Sequence, residues 1–376
     1  MVAIRGVCDP SFSAVKEAFA ENFSIDGELG AAVALEVEGR LVVDLWAGHT
    51  AHDRSREWRE DTLVNVFSIG KAATAVCAHH LVERGLLDVD RPVAHYWPEF
   101  ATAGKNDVPV HMLLSHRAGL PAIRRPLPDD SVYEWDTMTS ALAEQAPWWE
   151  PGSAHGYHVN TYGFLVGQVI RRVAGTSVGR YLRDNVASPL DIDFHFGLPP
   201  ALDSRVAPFL SYDARPAVAD PGADLENHLL MIGHAYANPR TLSGLGVVNT
   251  RRWRAAEVPS TNGHSNARSV ARMMGALAGG RLLSGDVLTR ATSEQAAGQD
   301  LILERPSRFG LGFQLTQPER PMGPSPRAFG HFGAGGSVGF ADPDRQLGFG
   351  YTMVEMGPRW QNPKNRRLIE AAYAGR

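Results

Sequence analysis

The chain has 376 residues, of which 44% are hydrophobic, enough for one large core or two interleaved ones. Its formal net charge is −4 and its basic residues are scattered, which excludes a recognisable footprint for nucleic acid. The two cysteines, Cys8 and Cys77, and the absence of metal-ligand spacings predict neither a disulfide framework nor structural zinc. No apolar run has the length of a signal peptide or a membrane span, so we expect a cytoplasmic protein without a membrane partner.

The N-terminal part of the sequence predicts one helix followed by a β-hairpin. Asp9 and Pro10 are residue types that cap and begin a helix, and the helical pattern continues to about residue 23. Two strand-like runs, 31–38 and 41–48, then flank a short Glu-Gly turn.

The remaining sequence changes from a helical pattern to a strand pattern. Between about 110 and 280, helical patches alternate with loops rich in proline and glycine, and after 305 short strands dominate. The clearest predictions are helices 138–145, 161–174, 265–277 and 363–374, and strands 310–315, 337–341 and 347–354. We therefore expect an α+β fold with an antiparallel sheet built from 1–60 and 285–376, and a mainly helical domain, 61–284, inserted between them.

The segment "VFSIGKAATAV" (66–76) places Lys71 three residues after Ser68 at the start of a helix. Residues three apart share one helix face, so the two side chains would be neighbours. The apolar helix that follows indicates burial, and burial lowers the pKa of a lysine. A neutral amine can take the proton of a serine hydroxyl and create a nucleophile, which arginine cannot do. Only four of the 37 basic side chains in this arginine-rich chain are lysines.

The Ser-x-x-Lys spacing alone is weak evidence, because Ser13 and Lys16 repeat it. That first copy lies on a helix of mixed charge, where we expect the lysine to be in solvent. For Ser68 and Lys71 the alternative is an ordinary helix, with a capping serine and a lysine whose amine reaches water.

Two later segments, "PGSAHGYHVNTYGFLVGQVIRRVAG" (151–175) and "FGHFGAGGSVGFADP" (329–343), follow in a characteristic order. With all three segments, the chain resembles the serine β-lactamase and penicillin-binding-protein superfamily. Within its class C-like branch, the chain is most similar to the family VIII carboxylesterases. The resemblance extends over nearly the whole chain and implies a β-lactamase-like fold, with the active site between the sheet domain and the helical domain and with no cofactor or metal.

The resemblance also implies three catalytic side chains. Ser68 matches the nucleophile, Lys71 the lysine that helps deprotonate it, and Tyr157 the tyrosine that exchanges protons with the nucleophile and the leaving group. A phenol is a weak base near neutral pH, but a lysine ammonium beside it favours its anion, so the two could titrate as a pair. The rival, Tyr162, falls inside a predicted helix, where an aromatic side chain more often belongs to the core.

The third matched segment contains His331, Phe332 and Gly333, where the β-lactamases have Lys-Thr-Gly. The resemblance assigns the oxyanion hole to the backbone N–H groups of Ser68 and of the following residue, Ala334. The backbone N–H of a residue at a helix N-terminus is independently suited to stabilise an oxyanion. For His331 the alternative is structural, with the ring packed on the sheet and bonded to a carbonyl group.

Two departures from the class C pattern bear on the substrate. Val159 occupies the position of an asparagine, Asn160 follows one residue later, and His331 replaces a lysine that helps hold a carboxylate. Because a histidine is mostly neutral near pH 7, both changes remove polar recognition of a β-lactam or peptide. The pattern therefore favours neutral esters.

A competing nucleophile, Ser337, lies in a G-x-S-x-G sequence. In α/β-hydrolases that sequence requires a strand before the serine and a helix after it. Here a strand, a turn and another strand are predicted to follow, and no histidine occurs after His331. We therefore reject Ser337 as the nucleophile.

The expected activity is hydrolysis of short- to medium-chain carboxylic esters through an acyl-enzyme on Ser68. Aromatic side chains that could line the acyl pocket, or simply pack in the core, are Trp148, Trp149, Phe332 and Trp360. The alternatives are a β-lactamase, a D-amino-acid peptidase or an acyltransferase on the same fold, and a catalytically silent binding protein. The only expected partner is a small ester, and the sequence predicts no oligomeric state.

Overall fold

The structure is a computed structural model that describes residues 2–210, 223–244 and 246–374. Its strands are β1 Arg5–Cys8, β2 Gly30–Val37, β3 Arg40–Gly48, β4 Val64–Asn65, β5 Phe194–His195, β6 His264–Ser265, β7 Ala296–Gln299, β8 Pro306–Phe309, β9 Gln314–Leu315, β10 Phe329–Phe332, β11 Val338–Asp342 and β12 Leu347–Met353. Its helices are α1 Ser13–Ser24, α2 Ile69–Glu83, α3 Val93–Tyr96, α4 Val110–Leu114, α5 Trp135–Glu144, α6 Thr161–Ala174, α7 Val178–Leu182, α8 Ser188–Leu190, α9 Ala223–Ala237, α10 Arg251–Ala255, α11 Ala267–Ala278, α12 Gly285–Thr292 and α13 Pro363–Tyr373.

A nine-stranded antiparallel sheet has the order β1-β3-β2-β12-β11-β10-β9-β8-β7. The N-terminal strands join the C-terminal strands where β2 pairs with β12, from Ala31 opposite Met353 to Val37 opposite Leu347. The sheet therefore draws its strands from both ends of the chain. A smaller sheet, β4-β6-β5, pairs segments that are far apart in the sequence.

The predicted hairpin is confirmed as β2 and β3. Glu38 and Gly39, which connect the strands, both have positive φ, 51° and 77°. Positive φ at two successive turn residues matches the twist of a two-residue hairpin, and glycine adopts it without strain.

Helices cover both faces of the sheet. α1 and α13 contribute Phe19 and Leu368 to a core that also contains the sheet residues Val33 and Phe349. On the other face α11 lies very close to the sheet, since a Cβ on Gly348 would collide with the backbone of Gly275 in that helix. α11 belongs to the segment predicted as a helical domain, and the division into 1–60 with 285–376 and 61–284 stays a prediction.

The predicted strand 310–315 is wrong for its first four residues. Gly310 N–H donates to Phe313 O (2.9 Å), and Gly312 has φ 91°, so the chain turns before β9 begins. A Cβ on Gly312 would collide with Ala75 of α2, which explains the glycine. The sequence analysis also missed β1, β7 and β8, and within the described ranges no helix is long and apolar enough to cross a membrane.

Candidate active site

The backbone at the start of α2 holds Ser68 in an unusual position. Phe67, the residue before it, has φ 48°, a conformation that is uncommon for a bulky side chain. The Phe67 ring is buried and packs edge-on against Phe209, with 4.7 Å between ring centroids. Ser68 then occupies the N-cap position of α2 and is 8% exposed. The packing of Phe67 holds the strained turn that presents Ser68 at the helix start.

Lys71 lies in the first turn of α2 and its side chain is fully buried. Its Nζ donates to Ser68 Oγ at 2.9 Å and to the carbonyl oxygen of Ser260 at 3.1 Å. Burial holds the pKa of Lys71 well below its usual value. Within the described residues no carboxylate pairs with this amine. The arrangement favours a neutral amine that is already hydrogen-bonded to a serine hydroxyl.

Ser260 is a site residue that the sequence analysis did not identify. Its backbone carbonyl accepts from Lys71, while its hydroxyl donates to Asn160 O at 2.8 Å and accepts from Gly163 N–H at 2.5 Å. Gly70 allows this approach, because a Cβ there would lie 2.6 Å from Pro259 O. Ser260 therefore connects the starts of α2 and α6. A backbone acceptor leaves no signature in side-chain type, so no motif could reveal it.

Tyr157 lies in the loop before α6, next to Lys71. Lys71 Nζ is 4.8 Å from the centroid of the Tyr157 ring, so the amine lies over the ring face. Burial raises the pKa of Tyr157 well above its usual value, and the Ser68 side chain opposes this rise. The hydroxyl is buried close to the Ser68 side chain, but it makes no hydrogen bond of good geometry to any described residue. These surroundings favour a neutral phenol, whereas the sequence argument allowed a phenolate beside an ammonium.

Tyr162, the rival tyrosine, belongs to α6 and is part of the core. It is fully buried, and a Cβ on Gly312 would lie 2.6 Å from its hydroxyl. Burial raises the pKa of its phenol, with the nearby thiol of Cys77 adding to the effect. Its hydroxyl is directed towards the turn before β9, a position consistent with the core role expected from its helix.

The turn between β10 and β11 approaches Val66, the residue after β4, very closely. A Cβ on Gly333 would collide with Ser337 Oγ and lie 2.6 Å from Val66 O. Gly333 N–H donates to Ser337 O at 2.7 Å, which closes the turn. The N–H groups of Ser68 and Ala334 make no hydrogen bond to other described residues. Both donors are thus available to a ligand, as the predicted oxyanion hole requires.

Ser337 lacks the surroundings of a nucleophile. It is 1% exposed, and its hydroxyl donates to Val66 O at 3.4 Å. The strand β11 follows it directly, so the expectation that no helix follows the G-x-S-x-G sequence is confirmed. Lys16, the lysine of the first Ser-x-x-Lys copy, is exposed, as predicted.

His331 and Phe332 lie on opposite faces of β10, as successive strand residues must. The ring of His331 is 5.9 Å from that of Tyr157, whereas Phe332 packs in the core shared with α1 and α13. Phe332 is therefore not placed to line an acyl pocket beside Tyr157. His331 is buried and bonds through Nδ1 to Phe332 O at 2.8 Å. Burial, with a further contribution from Lys71, lowers the pKa of His331 to about 3.

Val159 and Asn160, where the sequence departs from the class C pattern, both contact other segments of the protein. Asn160 Nδ2 donates to Ala235 O at 2.9 Å, and its Oδ1 accepts from Thr261 Oγ1 at 2.7 Å. Val159 is half-buried against apolar side chains. Asn160 is thus committed to neighbouring segments and does not replace the asparagine that the class C pattern has two residues after the tyrosine.

An apolar cluster surrounds Tyr157, and we refer to it as the Tyr157 cluster. Trp360 contacts the tyrosine edge-on, with 5.3 Å between centroids, and the guanidinium groups of Arg305 and Arg320 lie over the Trp360 ring at 4.9 and 5.9 Å. The helix α9, which the sequence analysis missed, supplies part of this cluster. Its members are Ala122, Trp148, Trp149, Tyr157, Val159, Met231, Ile232, Ala235, Ala296, Leu301, Ile302, Leu303, Phe309 and Trp360.

The two neighbouring tryptophans differ in their surroundings. Trp149 lies against the backbone of the tyrosine loop, where a Cβ on Gly156 would be 2.8 Å from its ring. Trp148 donates through Nε1 to Ala122 O at 2.8 Å and carries the guanidinium group of Arg124 over its ring. A separate groove of about 430 Å³, lined in part by Leu288 and Arg327, includes none of Ser68, Lys71 and Tyr157.

Comparisons with known proteins agree with this geometry. A sequence model of the Beta-lactamase family matches residues 17–374. The crystal structure of a family VIII carboxylesterase superposes with a TM-score of 0.91 at 41% identity, covering 99% of each chain. A penicillin-binding-protein homologue from Caulobacter crescentus superposes with a TM-score of 0.92 at 39% identity, covering 99% of this chain and 100% of that one.

A curated relative extends the same result. The Esterase/beta-lactamase LipL of Mycobacterium tuberculosis is 33% identical over 359 residues, which are 92% of this chain and 82% of the relative. The resemblance inferred from the three segments and the α+β, β-lactamase-like fold are confirmed. The chain belongs to the Beta-lactamase family.

Proposed function

We propose that this protein is a serine carboxylesterase that hydrolyses neutral esters through an acyl-enzyme on Ser68. The observation that carries the proposal is the buried Lys71 amine, 2.9 Å from Ser68 Oγ, whose pKa burial holds well below its usual value. Such an amine can accept the serine proton near neutral pH. The esterase names of several relatives support the substrate class.

Acylation begins when Ser68 Oγ attacks the ester carbonyl carbon and its proton passes to Lys71 Nζ. The carbonyl electrons move to the oxygen, which the N–H groups of Ser68 and Ala334 stabilise. When the tetrahedral intermediate collapses, the leaving alkoxide takes the proton of the Tyr157 hydroxyl. The Lys71 ammonium then returns its proton to Tyr157, so both groups are neutral again and an alcohol has been released.

Deacylation repeats these transfers with water as the nucleophile. Water attacks the acyl carbon while its proton passes to the pair formed by Tyr157 and Lys71. Ser68 Oγ leaves as the second intermediate collapses and recovers a proton from that pair. The products are a carboxylic acid and the free enzyme, and every step uses groups that the chain itself supplies.

The surroundings of the site favour esters over β-lactams. His331, with a pKa of about 3, is uncharged near neutral pH and cannot pair with a drug's carboxylate. The side-chain amide of Asn160 is hydrogen-bonded to Ala235 and Thr261 and is not available to an amide substrate. The apolar Tyr157 cluster is suited to the acyl or alcohol part of a short- to medium-chain ester.

The decisive experiment is a hydrolysis panel on one preparation of the protein. It compares p-nitrophenyl esters of graded chain length with the chromogenic cephalosporin nitrocefin. We expect turnover of acetyl to hexanoyl esters that disappears in Ser68→Ala. Efficient nitrocefin turnover with weak ester turnover would instead support the alternative, a β-lactamase on the same fold.

A further inference from the structure

The loop between β7 and β8 holds a carboxylate against the backbone of Tyr157. Asp300 has no solvent exposure, and its Oδ1 accepts from the N–H group of Tyr157 at 3.0 Å. The same oxygen accepts from Ile302 and Leu303 N–H, both at 2.9 Å, which folds the loop around it. Leu301 N–H donates to His155 O at 3.2 Å. Two hydrogen bonds therefore fasten the β7–β8 loop to the tyrosine loop.

The second carboxylate oxygen of Asp300 belongs to a buried chain of hydrogen bonds. Ser307 Oγ donates to Oδ2 at 2.8 Å and is itself 2.9 Å from His155 Nε2, which donates to it. Burial lowers the pKa of His155, and this histidine is the only cation-forming side chain within 4.0 Å of Asp300 among the described residues. Because both oxygens only accept, the geometry is that of an ionised carboxylate held by neutral donors.

The packing of the loop alone does not explain a buried carboxylate at this position. A buried carboxylate that is not paired with a cation is costly and persists only where several donors satisfy it. One of the donors to Asp300 is the backbone N–H group of Tyr157, the residue that we assign to proton transfer, so the carboxylate fixes the backbone at that residue. An apolar residue would fill the same space but could not hold the Tyr157 N–H group.

We propose that Asp300 is a positioning residue for Tyr157, which it holds through the backbone N–H group so that the phenol can give its proton to the leaving group. The inference rests on the proposed function, because it concerns the proton that Tyr157 gives to the leaving group. Asp300 touches neither the ester nor Ser68 in this role and acts only through Tyr157.

The other titratable groups that surround Tyr157 are bases and phenols, whereas Asp300 is a carboxylate. Burial lowers the pKa values of three bases and raises those of two phenols, which favours the uncharged form of all five. They are Lys71 on α2, His116 before the tyrosine loop, His331 on β10, Tyr162 on α6 and Tyr236 on α9. His155 and His158, within the loop, also have lowered pKa values, about 4 for His158.

Two arginines lie farther out, with their guanidinium groups over the ring of Trp360. Burial is the largest cause of the raised pKa of Tyr157, and of the groups that add to it, Tyr236, Asp300 and Tyr162, only Asp300 is a carboxylate. A nearby negative charge opposes formation of a phenolate and therefore raises the pKa of Tyr157. Removing this charge at constant geometry should lower the pKa of Tyr157 and move the alkaline loss of activity to lower pH.

The test is a double-mutant cycle measured with two esters that differ in leaving group. The variants are Asp300→Ala, Tyr157→Phe and their combination, and the substrates are p-nitrophenyl butyrate and ethyl butyrate. A p-nitrophenolate leaves without help, whereas an ethoxide needs the proton of an acid. We expect Asp300→Ala to lower kcat/KM for ethyl butyrate by about 10- to 100-fold and for the p-nitrophenyl ester by much less. In the Tyr157→Phe background, Asp300→Ala should have little further effect.

The isosteric variant Asp300→Asn separates charge from position. Its amide oxygen can still accept the three backbone N–H groups, and its NH₂ can donate to Ser307 Oγ. We expect near-normal kcat/KM at pH 7, with the alkaline limb of the ethyl butyrate profile about one pH unit lower than in the unmodified protein. Ser307→Ala is the matched control, because it removes a partner of Oδ2 and leaves the bond to Tyr157 in place. It should keep the leaving-group dependence of the unmodified protein.

Independent effects would overturn the inference. If the fold-reductions in kcat/KM caused by Asp300→Ala and Tyr157→Phe multiply in the double variant, Asp300 does not act through Tyr157 and has only a structural role. Thermal unfolding of each variant identifies loss of the fold, and Asp300→Asn remains informative if Asp300→Ala does not fold. An unshifted alkaline limb in Asp300→Asn would contradict the charge effect. The proposed function fails separately, if Ser68→Ala retains hydrolysis.

Discussion

The amine of Lys71 lies over the ring face of Tyr157, 4.8 Å from its centroid, and bonds to Ser68 Oγ instead of to the phenol. Burial opposes charge on both groups, lowering the pKa of Lys71 and raising that of Tyr157. Burial therefore favours a neutral amine and a neutral phenol in the resting enzyme. In the proposed mechanism Lys71 is the base for acylation and Tyr157 is the acid for the leaving group, two roles that separate experiments can address.

Replacing Ser68 by alanine should reduce ester hydrolysis by about 10⁴-fold or more, because the nucleophile is lost. A fluorescent phosphonate that reacts with serine hydrolases should label the unmodified protein and leave Ser68→Ala unlabelled, as read by mass spectrometry of the labelled peptide. Ser337→Ala serves as the control and should be labelled normally. Label on Ser337, together with full activity of Ser68→Ala, would contradict the assignment of the site.

Lys71→Arg should be almost as damaging as Lys71→Ala, each lowering kcat/KM by at least about 100-fold. A guanidinium group keeps a positive charge but cannot become neutral to accept the serine proton. The comparison uses p-nitrophenyl butyrate, with circular dichroism to verify that both variants fold. Recovery of most of the kcat by arginine would mean that Lys71 provides only a charge.

The activity should fall at acid pH as Lys71 becomes protonated. Burial lowers the pKa of the Lys71 amine, which is neutral above its pKa and charged below it, so the base is lost as the pH falls. The pH at which kcat/KM reaches half its maximum on the acid side reports the pKa of this base in the free enzyme. His331 titrates at about 3, so His331→Gln should leave that limb in place. A limb that moves with His331→Gln would assign the titration to the histidine.

Gly333→Ala should lower kcat by about 10- to 100-fold with a small change in KM, because a Cβ at this position forces the turn away from Val66 and displaces the Ala334 N–H donor. Gly285→Ala is the matched control, since a Cβ at Gly285 meets nothing within 4 Å. Steady-state kinetics on p-nitrophenyl butyrate provide the comparison. Equal kcat for the two variants would exclude the turn from the oxyanion hole.

The features that the sequence predicted correctly have local causes. The bounds of α6, at Thr161 and Ala174, follow from an apolar face that ends at Gly175, which caps the helix in the left-handed conformation. The β2–β3 hairpin follows from its Glu-Gly turn. The likeness of three separate segments to known enzymes brought Ser68, Lys71 and Tyr157 to attention before the structure placed them together.

The features that the sequence missed depend on contacts between distant segments. Ser260 acts through a backbone carbonyl, and Asp300 resembles any loop aspartate until its partner, the N–H group of Tyr157, is known. The lowered pKa of Lys71 was predicted from its apolar helix, whereas the raised pKa of Tyr157 follows from burial that only the fold reveals. Phe332 is different, because the alternation of strand side chains already implied that it and His331 could not face the same site.

The last prediction concerns selectivity between esters and β-lactams. A β-lactam antibiotic presents an amide side chain and a carboxylate, and the class C pattern provides an asparagine and a lysine for them. In this protein Val159 occupies the first position and an uncharged, buried His331 the second. A lost hydrogen bond to the charged carboxylate corresponds to about 1.5–3 kcal/mol, and one to the neutral amide to about 0.5–1.5 kcal/mol. Together these losses lower kcat/KM by about 30-fold or more, since about 1.4 kcal/mol equals a factor of ten.

The measurement is kcat/KM for p-nitrophenyl butyrate and for nitrocefin at one pH, in the unmodified protein and in His331→Lys. We expect slow or no nitrocefin turnover in the unmodified protein, and a gain in His331→Lys at little cost to the ester. Phe332→Leu is the control, because its side chain lies on the other face of β10 and should leave the ratio of the two rates unchanged. Equal turnover of nitrocefin and the ester by the unmodified protein would show that neither Val159 nor His331 restricts the substrate.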